Sequence, residues 1–312
     1  MVRPWSECFP GRIRLRPARS LNVDAFATRI DDIRDVSLER LQALSISVGW
    51  PHRAEDWRFL LEVGQGVVAL DEIGRVIGSA MWFSHGESFA TVGMVITLPR
   101  LQTNGTAHWL MRHVLSELPG RDLRLNATRA ARRLYKSLDF QAEKTVFQYQ
   151  GAVRLSEDRP ESTVDGTVGP LGSRDLAAVV AADRIAFGVN REILLKKLFD
   201  QSVGYGLYRG GQLCAFALCR PFGRGHVVGP VVATTDEDAM AVVRPHLAAR
   251  EGMFVRLDTP LETGDFTDLL SQSGLPIYDT VLTMSLGKRL AAFEQASAMP
   301  FLTYGLTSHT LG

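Results

Sequence analysis

The sequence predicts a fold of the mixed α/β class, an α+β arrangement around a mixed sheet, that is built twice along the chain. Apolar strand-like runs alternate with amphipathic helix-like stretches. The order of these elements recurs, so that Gly229-Pro-Val lies 136 positions after Gly93-Met-Val. A chain of 312 residues has room for two domains of about 100–200 residues each. Together these observations predict two copies of one domain.

The first copy is predicted from its hydrophobic periodicity. Two helices come first, followed by a hairpin whose turn contains Gly74, a strand closed by Pro99, and an amphipathic helix. This last helix carries Leu110, Val114 and Leu118 on one face. The predicted helices cover 38–48, 55–63 and 106–118, and the predicted strands cover 67–70, 76–82 and 89–98.

The second copy repeats this order. Its turn Gly210-Gly211 is typical of a hairpin, because both central residues of such a turn take a positive φ. Further along, residues 257–259 echo 125–128, and residues 269–275 echo 134–140. The predicted helices cover 174–186 and 191–201, and the predicted hairpin strands cover 205–208 and 213–219.

The same pattern sets the expected domain boundaries. We expect a flexible N-terminal lead-in over 1–23 and a first domain over 24–155. The polar stretch 156–172, which contains Pro160 and Pro170, is the expected linker. A second domain is expected over 173–290 and a C-terminal tail over 291–312.

Composition narrows the classes of partner and the compartment. A hydrophobic content of 46% and a charged content of 22% are those of an ordinary globular protein. The net charge of +1 favours neither a nucleic acid nor a membrane as partner. Three cysteines, Cys8, Cys214 and Cys219, cannot form a disulfide framework, which fits a reducing cytoplasm. We therefore expect a cytoplasmic protein. The sequence has no metal-site pattern, so we expect no bound metal.

The segment between the predicted strand 89–98 and the helix that follows has the features of an anion site. Gln102-Thr-Asn-Gly-Thr-Ala107 places the small residues Gly105 and Ala107 at the start of the helix. The first amides of a helix have no intrahelical partner, and the helix dipole makes that end partly positive. No carboxylate occurs between positions 89 and 116. The pattern predicts that this helix N-terminus binds a pyrophosphate.

This loop resembles that of the GNAT N-acetyltransferases. The superfamily carries Arg/Gln-x-x-Gly-x-Gly/Ala after its fourth strand, and Gln102, Gly105 and Ala107 match that pattern. Pro99 lies where the family has a proline shortly before the loop.

A later segment strengthens the resemblance. Residues 126–140, which contain Leu134-Tyr135, are similar to the family's Ala-x-x-Leu-Tyr-x-x-Leu-Gly-Phe helix. Asp139 stands where the family usually has a glycine in the left-handed conformation at the helix end. The resemblance covers residues 24–150, and the tandem arrangement is similar to that of acetyltransferases whose second half diverges from the family norm.

The resemblance implies acetyl-CoA as co-substrate and assigns residues to it. In the family, the loop binds the pyrophosphate and the backbone of the fourth strand pairs with the pantetheine arm. Carried over by position, the cofactor-binding residues are Val95, Ile96, Thr97, Gln102, Thr103, Asn104, Gly105, Thr106 and Ala107.

Two interpretations of Tyr135 remain open. The resemblance implies that its hydroxyl lies near the CoA sulfur and protonates the departing thiolate, as a phenol that is neutral at pH 7 is able to do. On the predicted helix, however, Tyr135 shares a face with Ala131, Leu134 and Leu138, which also fits a half-buried core tyrosine.

The second copy is expected to lack the phosphate site. Its helix opens with Thr235-Asp-Glu-Asp238, and three carboxylates in the first turn stabilise a helix but repel a pyrophosphate. The counterpart of Tyr135 in this register is Leu270, which has no proton to give. We expect one active half and one degenerate half.

The acceptor site is predicted with less detail. Proteins of this fold line the acceptor pocket with the region that contains Trp50 and His52 here, although a helix-initiation loop with aromatic packing explains the same residues. Glu87, just before the predicted strand, is a further candidate for substrate binding or for the general base. The alternative for Glu87 is a solvated turn.

Further candidates for the general base and for acceptor binding lie elsewhere in the chain. His85, Asp258, His226 or a chain of waters are other candidates for the base. Three arginines of the second half are candidates to meet an acceptor carboxylate: Arg191, Arg220 and Arg224.

The sequence therefore predicts an N-acetyltransferase. Acetyl would pass from acetyl-CoA to a primary amine of a small molecule by direct attack in a ternary complex, because no activated cysteine or serine is evident. A homodimer is possible. The alternative is a non-catalytic protein that senses CoA or a metabolite, and a third reading is a dimerisation scaffold without any ligand.

Overall fold

The computed structural model describes residues 20–23, 26–101, 105–155, 164–290 and 301–312. Within these residues, one 14-stranded sheet runs through both halves of the chain. The helices are α1 (Leu38–Ser47), α2 (Ala54–Val63), α3 (Thr106–Glu117), α4 (Arg132–Ser137), α5 (Leu176–Phe187), α6 (Glu192–Gln201), α7 (Asp236–Ala248) and α8 (Asp265–Gln272). The strands are β1 (Ser20–Val23), β2 (Phe26–Asp32), β3 (Gln65–Leu70), β4 (Val76–His85), β5 (Phe89–Thr97), β6 (Asp122–Ala127), β7 (Gln141–Ala152), β8 (Thr167–Pro170), β9 (Val203–Arg209), β10 (Gln212–Phe222), β11 (Gly225–Ala233), β12 (Phe254–Thr259), β13 (Ile277–Leu286) and β14 (Leu302–Gly305).

The predicted fold class is confirmed, because each half contains two helices, a hairpin, a strand and a further helix in that order. The sheet is mixed, since β5 and β6 are parallel, as are β11 and β12, while the other paired strands are antiparallel. In the part of the chain that the structure describes, no helix has the length and apolar character needed to cross a membrane.

The helices pack on the sheet in three large hydrophobic clusters. α3 buries Leu110 and Val114 against one face of the first half, because its apolar residues recur at helical spacing. α7 buries Val242 against the corresponding face of the second half. On the opposite face the halves share one cluster, which contains Trp57 of α2 and Leu195 of α6. Each half thus has one cluster packed under its own helix, α3 or α7, and the two halves share the third.

The last strand of each half is exchanged. Beyond β6 the sheet continues into β13 of the second half, then into β7 of the first half, and then into β12. Leu125 of β6 lies opposite Met284 of β13, and Tyr149 of β7 lies opposite Leu257 of β12, both in antiparallel register. Each half thus supplies the strand that completes the sheet of the other.

Parts of all three expected connecting segments form regular structure. Ser20–Val23, expected in a flexible lead-in, pairs with β2 because an edge strand leaves backbone groups free to bond. Thr167–Pro170, expected in the linker, pairs with β9. Residues 301–312, expected as a tail, contain β14 and pack against both halves. The remaining parts of these segments, 1–19, 156–163 and 291–300, lie outside the described residues.

Candidate active site

A cleft opens in the first half where two parallel strands diverge. The ladder between β5 and β6 ends at Val92 opposite Leu125. A bulge in β5 follows, because the pairing with β4 slips by one residue and Met94 takes a left-handed φ of 49°. The Ser79 hydroxyl donates to the Met94 carbonyl at 2.7 Å and supports this conformation. No described strand pairs with residues 93–97 on the β6 side.

The N-terminus of α3 lies at the end of this diverging strand and has the features of an anion site. Gly105 precedes the helix with a φ of 81°, and among the described residues no side-chain cap bonds to the first turn. A Cβ at Gly105 would meet no atom within 4 Å, so the space beside it is open. The buried Thr106 hydroxyl has no partner among the described residues, and no acidic residue lies in the first turn. The first amides of α3 are thus free to bind an anion.

The predicted cofactor loop is only partly described. Gln102, Thr103 and Asn104 lie outside the described residues. Ala107 is half-buried in the first turn of α3, and Ile96 and Thr97 are buried at the end of β5.

A cavity of about 360 Å³ lies beside the diverging strands, between the two halves. It brings together five of the residues predicted from sequence: Trp50, His52, Val95, Tyr135 and Arg224. The second half contributes Phe222 and its neighbours in the β10–β11 turn. A ligand in this cavity would therefore contact both halves.

The structure places Glu87 away from this cavity, which corrects its prediction as a substrate-binding residue. Glu87 is exposed in the turn between β4 and β5, whereas the cavity is lined by Val92 to Val95 further along β5. His85, next to that turn, is buried against Phe89 and Phe187, and burial lowers its pKa to about 3. A strand advances about 3.3 Å per residue, so Glu87 in this turn is too far from Val92 and its neighbours to contact a ligand in the cavity.

Tyr135 lines the cavity from α4, a helix of six residues. The side chain is 5% exposed, and its ring packs edge-on against Phe140. Burial raises the pKa of the phenol, so Tyr135 stays protonated at neutral pH. Tyr135 is thus more deeply buried than the half-buried core tyrosine of the sequence analysis, although its side chain still lines the cavity.

A histidine that the sequence analysis missed enters the same cavity from the C-terminal segment. His309 Nε2 lies 3.3 Å from Asp258 Oδ1, and Arg256 forms an ion pair with that carboxylate at 2.8 Å. The amide of Asn126 donates to the His309 carbonyl at 2.9 Å. His309 could not be found from sequence, because a lone histidine in an apparent tail gives no local signal.

Electrostatics keep this histidine neutral. Burial lowers the pKa of His309 to about 4, and Asp258 only partly opposes the effect. Burial alone would raise the pKa of Asp258, but Arg256 and His309 hold it below its usual value. Asp258, itself a base candidate from sequence, is therefore a charged partner of His309. His226, another base candidate from sequence, does not line this cavity.

Two family models, both described as an acetyltransferase (GNAT) domain, match the chain over residues 51–155 and 179–296. Together they span more than two thirds of it. The chain belongs to the GNAT acetyltransferase family. It carries two GNAT domains in tandem, which confirms the predicted resemblance. Membership places it among acyltransferases, and GNAT acetyltransferases use acetyl-CoA or acyl-CoA.

Solved structures share this tandem GNAT architecture. A Pyrococcus horikoshii protein assigned as an acetyltransferase has a TM-score of 0.73 at 19% identity, covering 91% of this chain and 96% of that chain. A tandem GNAT protein from the clavulanic acid biosynthesis pathway has a TM-score of 0.57 at 12% identity, covering 84% and 99%. At these identities the likeness shows the fold alone. No curated protein sequence matches the chain.

In the second GNAT domain, the chain itself fills the corresponding cleft. β14 pairs with Val231, Val232 and Ala233 of β11, the counterparts of Val95, Ile96 and Thr97 at the repeat spacing of 136. The Tyr304 hydroxyl donates to Asp236 Oδ1 at 2.9 Å, at the start of α7. Leu270, the counterpart of Tyr135, is fully buried in the core. The strand that fills the cleft and the acidic helix start leave no comparable anion site here.

The repeated Gly-x-Val pattern has a structural reason. A Cβ at Gly93 would meet Thr310 at 2.6 Å, and a Cβ at Gly229 would clash with the Leu306 carbonyl. Both glycines therefore let residues 306–310 pass close to the sheet. Among the described residues, no group of three or more His, Cys, Asp or Glu side chains is arranged to hold a metal ion.

Proposed function

We propose that this GNAT protein transfers acetyl from acetyl-CoA to a primary amine of a small molecule, and that it does so in the cytoplasm. One observation carries the proposal: the only strand cleft open to a ligand within the described residues leads from the free N-terminus of α3 to the cavity that holds Tyr135. A pyrophosphate would bind the α3 amides and Gly105, and the backbone of Val95, Ile96 and Thr97 would pair with the pantetheine arm.

The acceptor is a small molecule because the site is enclosed. The cavity of about 360 Å³ lies between the halves and is lined by Trp50, His52 and Phe222. Such a space surrounds a compact ligand more readily than a protein tail. The net charge of +1 gives no electrostatic attraction to nucleic acid.

The chemistry needs one proton acceptor and one proton donor. The amine nitrogen attacks the thioester carbonyl carbon, and the ammonium proton passes to His309, directly or through water. The nearby Asp258 carboxylate stabilises the imidazolium that forms. As the carbon–sulfur bond breaks, Tyr135 donates its proton to the thiolate. No covalent enzyme intermediate is involved.

The test is the release of free CoA thiol from acetyl-CoA over a panel of primary amines. We expect turnover in the unchanged protein. Tyr135→Phe and His309→Gln should each lower kcat about 10²-fold or more, since general acid or base catalysis contributes 10²–10⁴-fold. The Kd of acetyl-CoA, measured by calorimetry, should stay within about twofold, because neither side chain lies in the predicted pyrophosphate site.

Matched variants away from the cavity control for nonspecific effects. Tyr205→Phe and His226→Gln remove the same groups from residues that do not line either cavity, and both should keep full activity. Absence of acetyl-CoA binding would refute the proposal. Binding without turnover of any amine would instead support the sensing alternative, in which the cavity holds a metabolite that is not acetylated.

A further inference from the structure

Arg220 is a buried cation at the boundary between the halves. It lies near the end of β10 and is 5% exposed. Its guanidinium packs over the rings of Phe59 from α2 and Phe222, at 5.5 and 5.2 Å from their centroids. Two aromatic faces hold the group in place and offset part of the cost of removing its charge from water.

The hydrogen-bonding capacity of this guanidinium is largely unused. Nη2 donates to the Thr307 carbonyl at 3.5 Å, which is a long contact, and Nε has no partner among the described residues. A guanidinium carries five N–H donors in a planar fork, and such donors are normally satisfied when buried. The Arg220 guanidinium therefore lacks hydrogen-bond acceptors for most of its N–H groups among the described residues.

No described carboxylate neutralises Arg220. Asp56 is engaged by Arg53 at 2.9 Å and by the backbone amide of Gly223 at 3.0 Å. Asp258 is engaged by Arg256, as described above. The neighbouring His52 is neutral, because burial lowers its pKa to about 4. Since an unpaired buried charge is costly, an anion from outside the chain is the natural partner.

A second cavity gives such an anion access. It has a volume of about 320 Å³ and is lined by Arg220, with Phe59 and Leu60 on its apolar wall. His52, Phe222, Ser308 and Thr310 line both this cavity and the larger one that holds Tyr135. A single small molecule can therefore extend from one cavity into the other. Two carboxylates, Glu55 and Asp56, also line the smaller cavity. Glu55 is exposed, so water screens its charge. Asp56 is paired with Arg53, which is itself part of the lining.

We propose that the acceptor carries a carboxylate that binds Arg220 while its amine lies in the larger cavity beside Tyr135. A carboxylate matches the planar fork of one guanidinium in a bidentate pair. One unpaired cation balances one negative charge, which favours a carboxylate over a phosphate dianion. This inference rests on the proposed function and narrows its substrate class to amino acids and related amino carboxylates.

The other candidate arginines have different roles. Arg191 forms a buried ion pair with Asp183 at 2.6 Å and donates to the Gly312 carbonyl, so it holds the C-terminal segment in place. Arg224 is exposed at the edge of the larger cavity. Of the three arginines predicted from sequence, Arg220 alone is buried without a carboxylate partner among the described residues.

The first test compares amino carboxylates of two to six carbons with their carboxamides in the thiol-release assay. We expect kcat/KM to be about 10²-fold higher for the carboxylate of the preferred pair, and Arg220→Gln to remove this preference. Arg220→Lys should keep part of it, because the charge remains while the planar fork is lost. Arg184→Gln, an exposed arginine on α5, is the matched control and should leave the preference intact.

A second test does not depend on turnover. Calorimetry with CoA present should show that butyrate binds more tightly than butyramide, and that Arg220→Gln weakens butyrate binding while the affinity for CoA is unchanged. The proposal is overturned if carboxylates and amides bind equally, or if Arg220→Gln leaves the difference in place while thermal melting shows a folded protein. Carboxylate binding at Arg220 without acetylation of any amine would refute the proposed function and leave this anion site standing.

Discussion

Three histidines, His52, His85 and His246, are buried as neutral groups. Burial lowers their pKa values to about 4, 3 and 4 respectively. His246 is fully buried beneath the second half, where its Nε2 lies 3.1 Å from the Ala217 carbonyl. An unfolded histidine titrates near 6.5. Between pH 6.5 and 4 the unfolded chain therefore binds protons that the folded chain does not.

The resulting prediction concerns stability in acid. The contribution of His246 is fully present above pH 6.5 and is lost as the pH falls toward 4, up to about 3 kcal/mol. His246→Gln, which keeps a donor for the Ala217 carbonyl, should make the free energy of unfolding fall less steeply in this window. Urea denaturation of both proteins at pH 7, 6, 5 and 4 measures the free energy of unfolding and its slope with pH. Equal slopes for both proteins would show that His246 does not titrate as a buried group.

At the scale of single elements, the start of α3 distinguishes the two GNAT domains. α3 begins after Gly105 without an acidic side chain in its first turn, whereas α7 begins with Asp236, Glu237 and Asp238. Two of these carboxylates are engaged, Asp238 by Arg209 and Asp236 by the Tyr304 hydroxyl. The same helix position therefore has open space beside Gly105 in one half and an internal contact with Tyr304 in the other.

We predict one acetyl-CoA per chain, bound at α3. Gly105→Ala should weaken its binding about tenfold, because φ at this position is 81° and a Cβ strains the backbone that faces the phosphates. Gly120→Ala is the matched control: φ is 75°, a Cβ would also meet open space, and the site lies beyond the other end of α3. Calorimetry gives stoichiometry and affinity together. A stoichiometry of two, or equal losses in both variants, would contradict the assignment.

At the scale of the whole molecule, the exchanged strands and the shared core join the two domains. β13 completes the sheet beside β6, and β7 completes the sheet beside β12. The shared cluster contains Trp57 from the first half and Leu198 from the second. Neither half can unfold without exposing the edge strand and core of the other, so the chain should unfold in one step.

The tryptophans allow a direct test of whether the two halves unfold together, since all five precede residue 110 and so report on the first half. Leu270→Ala removes a fully buried side chain from the second half and should cost about 2–5 kcal/mol. If the halves are coupled, tryptophan fluorescence from the first half should report the same shift in urea midpoint as circular dichroism of the whole chain. A fluorescence transition that stays at its original midpoint would show that the domains unfold independently.

Local signals in the sequence predicted many of the elements. Gly210 and Gly211 take φ of 56° and 79°, as the hairpin turn requires, and β9 and β10 pair around them. Asp139 takes a φ of 67° after α4, the left-handed conformation that the family's glycine normally supplies. Helix α2 begins one residue before the predicted start, because Asp56 accepts a bond from the Arg53 amide at the helix N-terminus.

The site was less accessible to sequence reasoning. Trp50, His52 and Tyr135, which were predicted from their places near recognisable elements, line the cavity. Glu87 does not, because its place next to a strand does not reveal which end of that strand faces the cavity. His309 and Thr310 belong to a segment without periodicity, and their place depends on contacts with Asn126 and Gly93. The sequence does not single out Arg220 either, because its lack of a carboxylate partner depends on which described carboxylates already pair with other arginines.

By itself the sequence predicted two α/β copies of one family, an anion site at a helix start in the first copy, and the loss of that site in the second. These features are local, since they depend on periodicity, glycine and charge within short windows. Only the tertiary structure decided the exchange of β7 and β13, the filling of the second cleft by β14, and the joining of His309 and Arg220 to one pair of cavities. Such features depend on pairings between residues more than a hundred positions apart, where many partners satisfy the local pattern and only packing selects one.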